Sequence, residues 1–443
     1  MIQKVKHKLS EDKHFIELLK GSSISFVFKI VGMGFGYLFT LFIARWYGAE
    51  TMGLYTLSLT MLNIFVTIGV FGFDNALVKF VAEYNSQAKL YLIKEVYIKV
   101  LSVVIPIGMV LSVMLYFGAD LFARDIFKKE HLSAFLQITA MAVLPFVLLR
   151  VNATFFRGLK KIKLFAFFDS LGVMLLSFIG LIIVARIFHI MDNYVVIDVQ
   201  VFSIVFLMLV SFINVKKYTN ILNIASKNML KYRNILTVSF PMLLTSSMAL
   251  VMGWTDMVML GMFRSEAEVG VYSVVVKLAG LTSIALIGIN SIAAPKFSEF
   301  YSSGNKEGLR NIAQSSTKMI FFSSIPIISI LILFPKQILG MFGSEFTVGY
   351  MALWILMIGQ IINSVTGSVG YILIMTGKEK LFQNIIIFTG ILNIALNYIL
   401  VEKYGLNGVA FSTAISLSVQ NIISFFYVKY YYGFYTFNWK RSG

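Results

Sequence analysis

The chain contains no cysteine among its 443 residues and has only four histidines. Disulfides and thiolate metal sites are therefore excluded, and the histidines are scattered without metal-ligand spacing. Charged residues make up 13% of the chain, about half the share that is usual in soluble domains. Hydrophobic residues make up 58%. So few charges cannot cover such an apolar interior in water, and the composition therefore predicts a membrane protein.

Long apolar runs recur along the whole chain. A helix needs about 20 apolar residues to cross the hydrocarbon core of a bilayer, and twelve stretches have roughly that length. No predicted loop is long enough for a folded catalytic domain, and the longest connector lies at 215–234. We therefore predict an all-α polytopic membrane protein with about twelve transmembrane helices, at 22–44, 53–76, 97–118, 133–155, 164–187, 196–214, 235–261, 270–294, 312–334, 348–375, 381–401 and 408–430.

Basic residues are unevenly shared between alternate loops. Of the 38 Lys and Arg residues, 28 fall in loops or at span ends on the side that carries the N-terminus, 8 fall in loops or at span ends on the other side, and 2 lie deeper within spans. This bias predicts that both termini face the cytoplasm from the inner (plasma) membrane. Residues 1–20 are expected to form an interfacial segment there, and 431–443 a cytoplasmic tail. The net charge of +17 is then largely topological, with basic loops meeting anionic membrane lipids, and nucleic-acid binding is not expected.

The chain contains an internal repeat at a shift of 217 residues. At this shift Gly53-Leu-Tyr55 falls on Gly270-Val-Tyr272, and Lys163-Leu-Phe165 falls on Lys380-Leu-Phe382. The period equals one unit of six spans, so the two halves cross the membrane in the same sense. We predict two six-helix bundles, the lobes 21–217 and 218–430, related by a pseudo-two-fold axis along the membrane normal. Parallel repeats of this kind suit alternating access to a substrate held between the halves.

Two lysines lie inside predicted spans, where a charge costs about 2.5–3.5 kcal/mol. For Lys29, in the first span, snorkelling to the interface and a role in a substrate cavity are both open. Lys277, in the eighth span, is expected to line the cavity. Asp74 and Asp256 lie at depths similar to those of the two lysines, so each acid either forms an ion pair or binds the H⁺ or Na⁺ that drives transport. Asp169, near a cytoplasmic loop, is a lesser candidate.

Neutral polar side chains lie in several other spans. Each is expected to bond across helices for about 0.6 kcal/mol on average, or to present donors and acceptors to the hydroxyl groups of a sugar. The candidates for sugar binding are Asn63, Gln360, Asn363, Asn393 and Asn397.

Three stretches resemble bacterial polysaccharide flippases. They are Arg45-Trp-Tyr-Gly48 through Gly53-Leu-Tyr55, Trp254-Thr-Asp256 through Gly261, and Tyr404-Gly405-Leu-Asn-Gly408. Over essentially its whole length the chain is similar to O-antigen flippases of the polysaccharide transporter family, relatives of the MATE (multidrug and toxin extrusion) transporters. The resemblance implies a lipid-linked oligosaccharide on undecaprenyl pyrophosphate as the substrate, moved from the cytoplasmic to the periplasmic leaflet in O-antigen and lipopolysaccharide biosynthesis. It also implies polysaccharide assembly proteins as partners.

Two other functions stay open. A cation-coupled multidrug exporter of the MATE type would hold acids in its cavity without matching lysines, so Lys29 and Lys277 favour an anionic substrate. A membrane glycan polymerase or ligase would carry a large periplasmic loop, whereas every outer loop predicted here is short. The sequence shows no phosphate-binding glycine loop, metal-ligand cluster or Ser-His-Asp set. No catalytic residue, cofactor or metal is therefore expected.

Overall fold

The described chain is almost entirely helical. The computed structural model describes residues 13–218 and 230–437, and no strand occurs in those ranges. Residues 1–12 of the predicted interfacial segment, 219–229 of the predicted connector and 438–443 of the predicted tail lie outside them. The helices are α1 (Lys13–Val70), α2 (Phe73–Ser86), α3 (Leu90–Phe117), α4 (Leu132–Gly158), α5 (Ile162–Ala166), α6 (Gly172–Ile182), α7 (Val195–Tyr218), α8 (Tyr232–Phe263), α9 (Glu266–Gly280), α10 (Ser283–Ser302), α11 (Lys306–Leu333), α12 (Pro335–Gly340), α13 (Tyr350–Thr366), α14 (Val369–Met375) and α15 (Glu379–Tyr432).

Many of these helices can cross a membrane. Within 13–218 and 230–437, eight helical stretches are long and apolar enough to do so, or nine when the bent pair α9–α10 counts as one span. Two stretches are about twice the usual length, because α1 has 58 residues and α15 has 54. Each is sharply broken at a glycine, Gly48 or Gly405, where φ is +80° or +53°. Each long helix therefore holds two of the predicted spans joined by a tight turn, and the predicted all-α polytopic fold is confirmed.

The second predicted span, 53–76, ends earlier than expected. α1 stops at Val70, and the next two residues, Phe71 and Gly72, have φ values of +52° and +74°. A Cβ on Gly72 would collide with the backbone of α8, so a side chain has no room there. Asp74 therefore lies beyond the break, in the first turn of α2, and the predicted boundary of this span is wrong.

The eighth and tenth predicted spans are broken as well. The run 270–294 was expected as one helix, but α9 and α10 divide it with a bend of 43°. The run 348–375 is divided at Gly367, whose φ is +69°. A Cβ on Gly367 would overlap the side chain of Thr317, so glycine lets α11 and the end of α13 approach closely. Both runs stay apolar on average across their breaks, and hydropathy, which averages over a long window, therefore does not register them.

The helix boundaries repeat at the shift of 217 residues that the sequence shows. The second half of α1 begins at Ala49, directly after the break, and α9 begins at the equivalent Glu266. Likewise α5 begins at Ile162 and α15 at the equivalent Glu379. The sequence repeat is therefore also a repeat of local structure.

The chain divides into two compact units. The first contains Met1–Phe39 and Ser58–Ser247, and the second contains Thr40–Leu57 and Met248–Gly443. In the first unit, α4 is the central helix, with α2, α3 and α7 packed against it. The second unit includes the turn of α1 as well as most of the second half of the sequence. Neither unit is therefore a single continuous segment of the chain.

The turn of α1 is held by contacts within the second unit. The Glu345 carboxylate accepts a hydrogen bond from the backbone N–H of Ala49 at 2.7 Å, and so caps the N-terminus of the second half of α1. Gly53 and Gly270, which are equivalent in the repeat, face each other there. A Cβ on Gly270 would lie 3.0 Å from the Gly53 backbone nitrogen. Only glycine at these positions allows the two backbones to meet this closely.

The segment after α15 packs back onto the second unit. Phe434 is part of its hydrophobic core, together with residues such as Phe297 and Ile372. The Thr436 hydroxyl donates to the Thr366 carbonyl at 2.8 Å, next to the break between α13 and α14. Residues 431–437 of the predicted cytoplasmic tail are thus part of the folded unit.

Candidate functional site

A buried carboxylate joins four helical segments in the second unit. Asp256 of α8 is 5% exposed. It accepts hydrogen bonds from the hydroxyl of Tyr272 at 3.0 Å and from the hydroxyl of Thr413. Asn397 donates to it from Nδ2 at 2.8 Å, and Asn393 donates from Nδ2 at 3.4 Å. The carboxylate therefore links α8, α9 and both halves of α15.

The two asparagines lie one turn apart on α15 and share a face of that helix. Asn397 Nδ2 also donates to Asn393 Oδ1 at 3.2 Å, and Asn393 Nδ2 donates to the Thr413 hydroxyl at 3.3 Å. Asn397 Oδ1 is buried and accepts no hydrogen bond within the described ranges. We call Asp256, Tyr272, Asn393, Asn397 and Thr413 the Asp256 cluster. One of its oxygens remains available to a further donor or to a cation.

The Asp256 cluster surrounds its acid with neutral groups. All four side chains that donate to Asp256 are uncharged. An ionised carboxylate in a buried site is strongly disfavoured unless it is paired or neutralised. A proton on Asp256 removes the uncompensated negative charge. A monovalent cation among the carboxylate, amide and hydroxyl oxygens does so as well, because oxygen ligands suit hard cations.

Lys277 lies near the end of α9, and its amine contacts α1. Its Nζ donates to the hydroxyl of Thr40 at 2.5 Å, and both residues belong to the second unit. Asp256 bonds to the neutral groups of its cluster and not to Lys277. The ion pair between Lys277 and Asp256, which the sequence left open, is therefore not formed. The second unit holds a buried acid and a basic group, and each is bonded to different side chains.

A basic side chain also lies inside the first unit. Arg150 falls within α4, eight residues before the end of that helix. Its guanidinium donates to Asn63 Oδ1 at 3.4 Å and lies 5.1 Å from the ring centre of Phe146. It also interacts electrostatically with Asp74 and Asp169. Three of the predicted polar residues are therefore gathered around an arginine that the prediction did not include.

The remaining predicted residues lie apart from these two groups. Lys29 is exposed on α1, and across 13–218 and 230–437 no hydrogen bond or ion pair joins it to Asp74. Asp74 instead accepts the backbone N–H of the following residue at 3.0 Å. On α13, Gln360 Oε1 accepts from the Ser283 hydroxyl at 3.3 Å and from Asn363 Nδ2 at 3.4 Å. Gln360 and Asn363 thus form a small polar group of their own.

Sequence reasoning missed three residues of these groups. Arg150 lies five residues before the end of the predicted span 133–155 and was counted with the basic residues of the cytoplasmic side, although its position inside the span signals an intramembrane charge. Tyr272 had been noted only as a marker of the repeat. Thr413 left no signal, because small hydroxyl residues are common at helix interfaces in membranes.

Comparison with known proteins identifies the family. The chain matches the polysaccharide biosynthesis protein family over residues 18–301 and the MatE family over residues 241–399. The probable low-salt glycan biosynthesis flippase Agl15 of Haloferax volcanii is 25% identical over 428 residues, which cover 94% of this chain and 84% of the relative. An uncharacterized membrane protein of Methanocaldococcus jannaschii is 20% identical over 430 residues, which cover 93% and 84%.

Solved structures show the same fold. An inward-facing multidrug resistance MATE family transporter of the MOP superfamily is matched with a TM-score of 0.76 and 15% identity, over 93% of this chain and 98% of that one. The lipid II flippase MurJ is matched with a TM-score of 0.73 and 16% identity, over 93% and 87%. At such identities the likeness shows the fold alone, and the predicted relation to MATE transporters is supported by the MatE family match over residues 241–399. Because the first family match covers more than half of the sequence, the chain belongs to the polysaccharide biosynthesis protein family.

Proposed function

We propose that this protein is a flippase that moves a lipid-linked oligosaccharide across the membrane. Support comes from the family match and from the relative named as a glycan biosynthesis flippase. In this proposal the substrate carries its sugar on undecaprenyl pyrophosphate and moves from the cytoplasmic to the periplasmic leaflet, as in O-antigen or other cell-surface polysaccharide biosynthesis. The protein would lie in the inner membrane with both termini in the cytoplasm, and polysaccharide assembly proteins would be its partners.

The observation that carries an anionic substrate is the basic group inside each unit. Lys277 in the second unit bonds to a neutral hydroxyl, and Arg150 in the first unit bonds to a neutral amide at a long 3.4 Å. A pyrophosphate offers both groups stronger, charge-assisted hydrogen bonds than these neutral partners do. Asp74 and Asp169 interact with Arg150 electrostatically, without a hydrogen bond to it in the described residues. The exposed Lys29 is a third candidate for the same role. The asparagines and Gln360 remain our candidates for contacts to sugar hydroxyls.

The Asp256 cluster supports coupling to H⁺ or Na⁺. Uptake of the cation would neutralise the buried acid and stabilise the packing of α8, α9 and α15 around it. Release of the cation would weaken that packing. In this scheme Asp256 is the coupling residue, and Asn393, Asn397, Tyr272 and Thr413 position it. Asp74 is the weaker coupling candidate, because it lies beyond the break that ends α1 and is only half-buried.

A multidrug exporter is the second candidate function. It is favoured by the MatE match over 241–399 and by the buried acid of the Asp256 cluster. The two functions differ in the charge of the substrate, because the drugs that this class exports are cationic whereas a pyrophosphate is anionic.

Substrate binding to the purified protein tests the choice. We would measure the affinity for a pyrophosphate-linked oligosaccharide lipid and for ethidium, with the variants Lys277→Gln and Arg150→Gln and the exposed control Lys306→Gln. Loss of one charged hydrogen-bonding partner is expected to weaken binding of the sugar lipid at least tenfold, with no effect in the control. Tight binding of ethidium that is indifferent to both variants would favour the exporter instead.

A further inference from the structure

A groove separates α3 and α7 in the first unit. Both helices pack against α4, one on either side of the groove. The groove has a volume of about 410 Å³ and lies where α3 begins and α7 ends. Its walls are apolar, with Ile98 and Leu101 on α3 and Phe212 and Ile213 on α7. It is distinct from the Asp256 cluster, which belongs to the second unit.

A chain of hydrogen bonds begins at Tyr97, which lines this groove. The hydroxyl of Tyr97 donates to Asn152 Oδ1 at 2.6 Å, and Asn152 Nδ2 donates to the hydroxyl of Ser211 at 2.8 Å. This bridge connects α3, α4 and α7, and Asn152 is fully buried. The hydroxyl of Tyr97 is thus bonded within the helix bundle, and away from its basic end the groove offers mainly apolar side chains to an occupant.

The mouth of the groove is exposed and carries positive charge at one end. Ile98 is 47% exposed and Ile213 is 69% exposed, which in a membrane-spanning bundle places them against acyl chains. Lys94 and Lys216 line the end of the groove. That end belongs to the side of the membrane that carries most of the basic loops. Lys94, Ile98 and Leu101 follow one another at helical spacings of four and three, so α3 presents one charged and two apolar positions in a row.

The neighbouring acid, Glu95, is bonded to groups that do not line the groove. Glu95 follows Lys94 in sequence, but its carboxylate accepts the backbone N–H of Leu230 at 2.7 Å and lies 3.6 Å from the amine of Lys99. Its side chain is 2% exposed. Glu95 is therefore held by Leu230 and Lys99 and is not among the residues that line the groove.

We propose that this groove binds an anionic phospholipid of the cytoplasmic leaflet. The lipid phosphate would lie between Lys94 and Lys216, and one acyl chain would follow Ile98 and Ile213. The cytoplasmic leaflet carries a negative surface charge, and basic pockets between transmembrane helices on that side suit anionic headgroups. An occupant of this kind fills the gap between α3 and α7 and holds the two helices against α4.

Lipid binding by the purified full-length protein tests the proposal. Native mass spectrometry would count phosphatidylglycerol and phosphatidylcholine retained by the wild type, by the double variant Lys94→Gln/Lys216→Gln, and by the matched control Lys306→Gln/Lys380→Gln. A third variant, Ile213→Trp, would fill the groove and keep both lysines. Size-exclusion chromatography and circular dichroism would establish that each variant is folded.

The expected result is a preference of the wild type for phosphatidylglycerol. Affinity for that lipid should fall about thirtyfold in the double variant, because each lysine near an anionic headgroup contributes a factor of about five. It should also fall in Ile213→Trp and stay unchanged in the control. Equal retention of both lipids by the wild type, or equal loss in the control, would overturn the proposal. So would tighter retention of a polyprenyl phosphate than of phosphatidylglycerol, since the groove would then serve the substrate.

Discussion

The variant Asp256→Asn separates the charge of the Asp256 cluster from its shape. An asparagine has the size of the aspartate and keeps one acceptor oxygen for the Nδ2 groups of Asn393 and Asn397. Its new N–H₂ group faces the hydroxyls of Tyr272 and Thr413, which can turn and accept a hydrogen bond. Every hydrogen bond can therefore be kept, and we expect the free energy of unfolding to fall by only about 1 kcal/mol.

Other substitutions in the cluster give different results. Asp256→Ala leaves four buried donors without an acceptor, each worth about 1–3 kcal/mol, so this variant should be severely destabilised. Thr413→Val removes one donor and keeps the acid. It should lower the melting temperature by a few degrees and shift the affinity for the coupling ion, yet leave transport dependent on that ion.

Transport in proteoliposomes under an imposed H⁺ or Na⁺ gradient is the assay. Asp256→Asn should lose the response to the gradient and flip substrate at least tenfold more slowly, while a thermal-shift series shows that the ion no longer stabilises it. Gradient-driven transport at the wild-type rate by a folded Asp256→Asn protein would refute the reasoning. The cluster would then be a structural hub only, and Thr413→Val should affect transport no less than Asp256→Asn.

Three further predictions concern packing and are measured by thermal unfolding. Gly53→Ala should cost about 1–3 kcal/mol, because its Cβ would overlap the backbone at the start of α9, whereas Gly34→Ala has open space and should cost nothing; equal effects would disprove the close approach. Glu345→Ala removes the cap on the second half of α1 and should cost about 1 kcal/mol, and an unchanged melting temperature would argue against the cap. Phe434→Ala should cost about 3–5 kcal/mol, unlike alanine at the 79% exposed Tyr430; a small loss would mean that the C-terminal segment is not part of the core.

The broad architecture was accessible from the sequence because apolar length and the internal repeat are properties of long stretches. The breaks within the helices could not be predicted, since each depends on the backbone conformation of one or two residues. Gly72 lies between two phenylalanines and Gly367 between Thr366 and Ser368, and only the backbone or side chain packed against each glycine explains why a helix stops there. Because the break at Gly72 could not be predicted, Asp74 was placed in the second span, whereas it lies in the first turn of α2.

The candidate site was accessible only in part. Asp256, Asn393 and Asn397 were each selected as polar groups within spans, and the fold brings all three together. Their grouping could not be read from the sequence, because it depends on how α8 meets the two halves of α15. Depth in the membrane suggested Lys277 as a partner for Asp256, yet the lysine bonds to Thr40. Depth is one coordinate of three, and the directions of the side chains decide which groups meet.

Leaflet accessibility of the sugar lipid tests the central claim most directly. The purified protein would be reconstituted in liposomes with a pyrophosphate-linked oligosaccharide lipid, and a membrane-impermeant reagent would follow its movement, with ethidium transport measured in parallel. We predict gradient-dependent movement of the sugar lipid, its loss in Asp256→Asn and Lys277→Gln, and no transport of ethidium. Extrusion of ethidium while the sugar lipid stays in its leaflet would contradict the account and would identify the protein as a drug exporter.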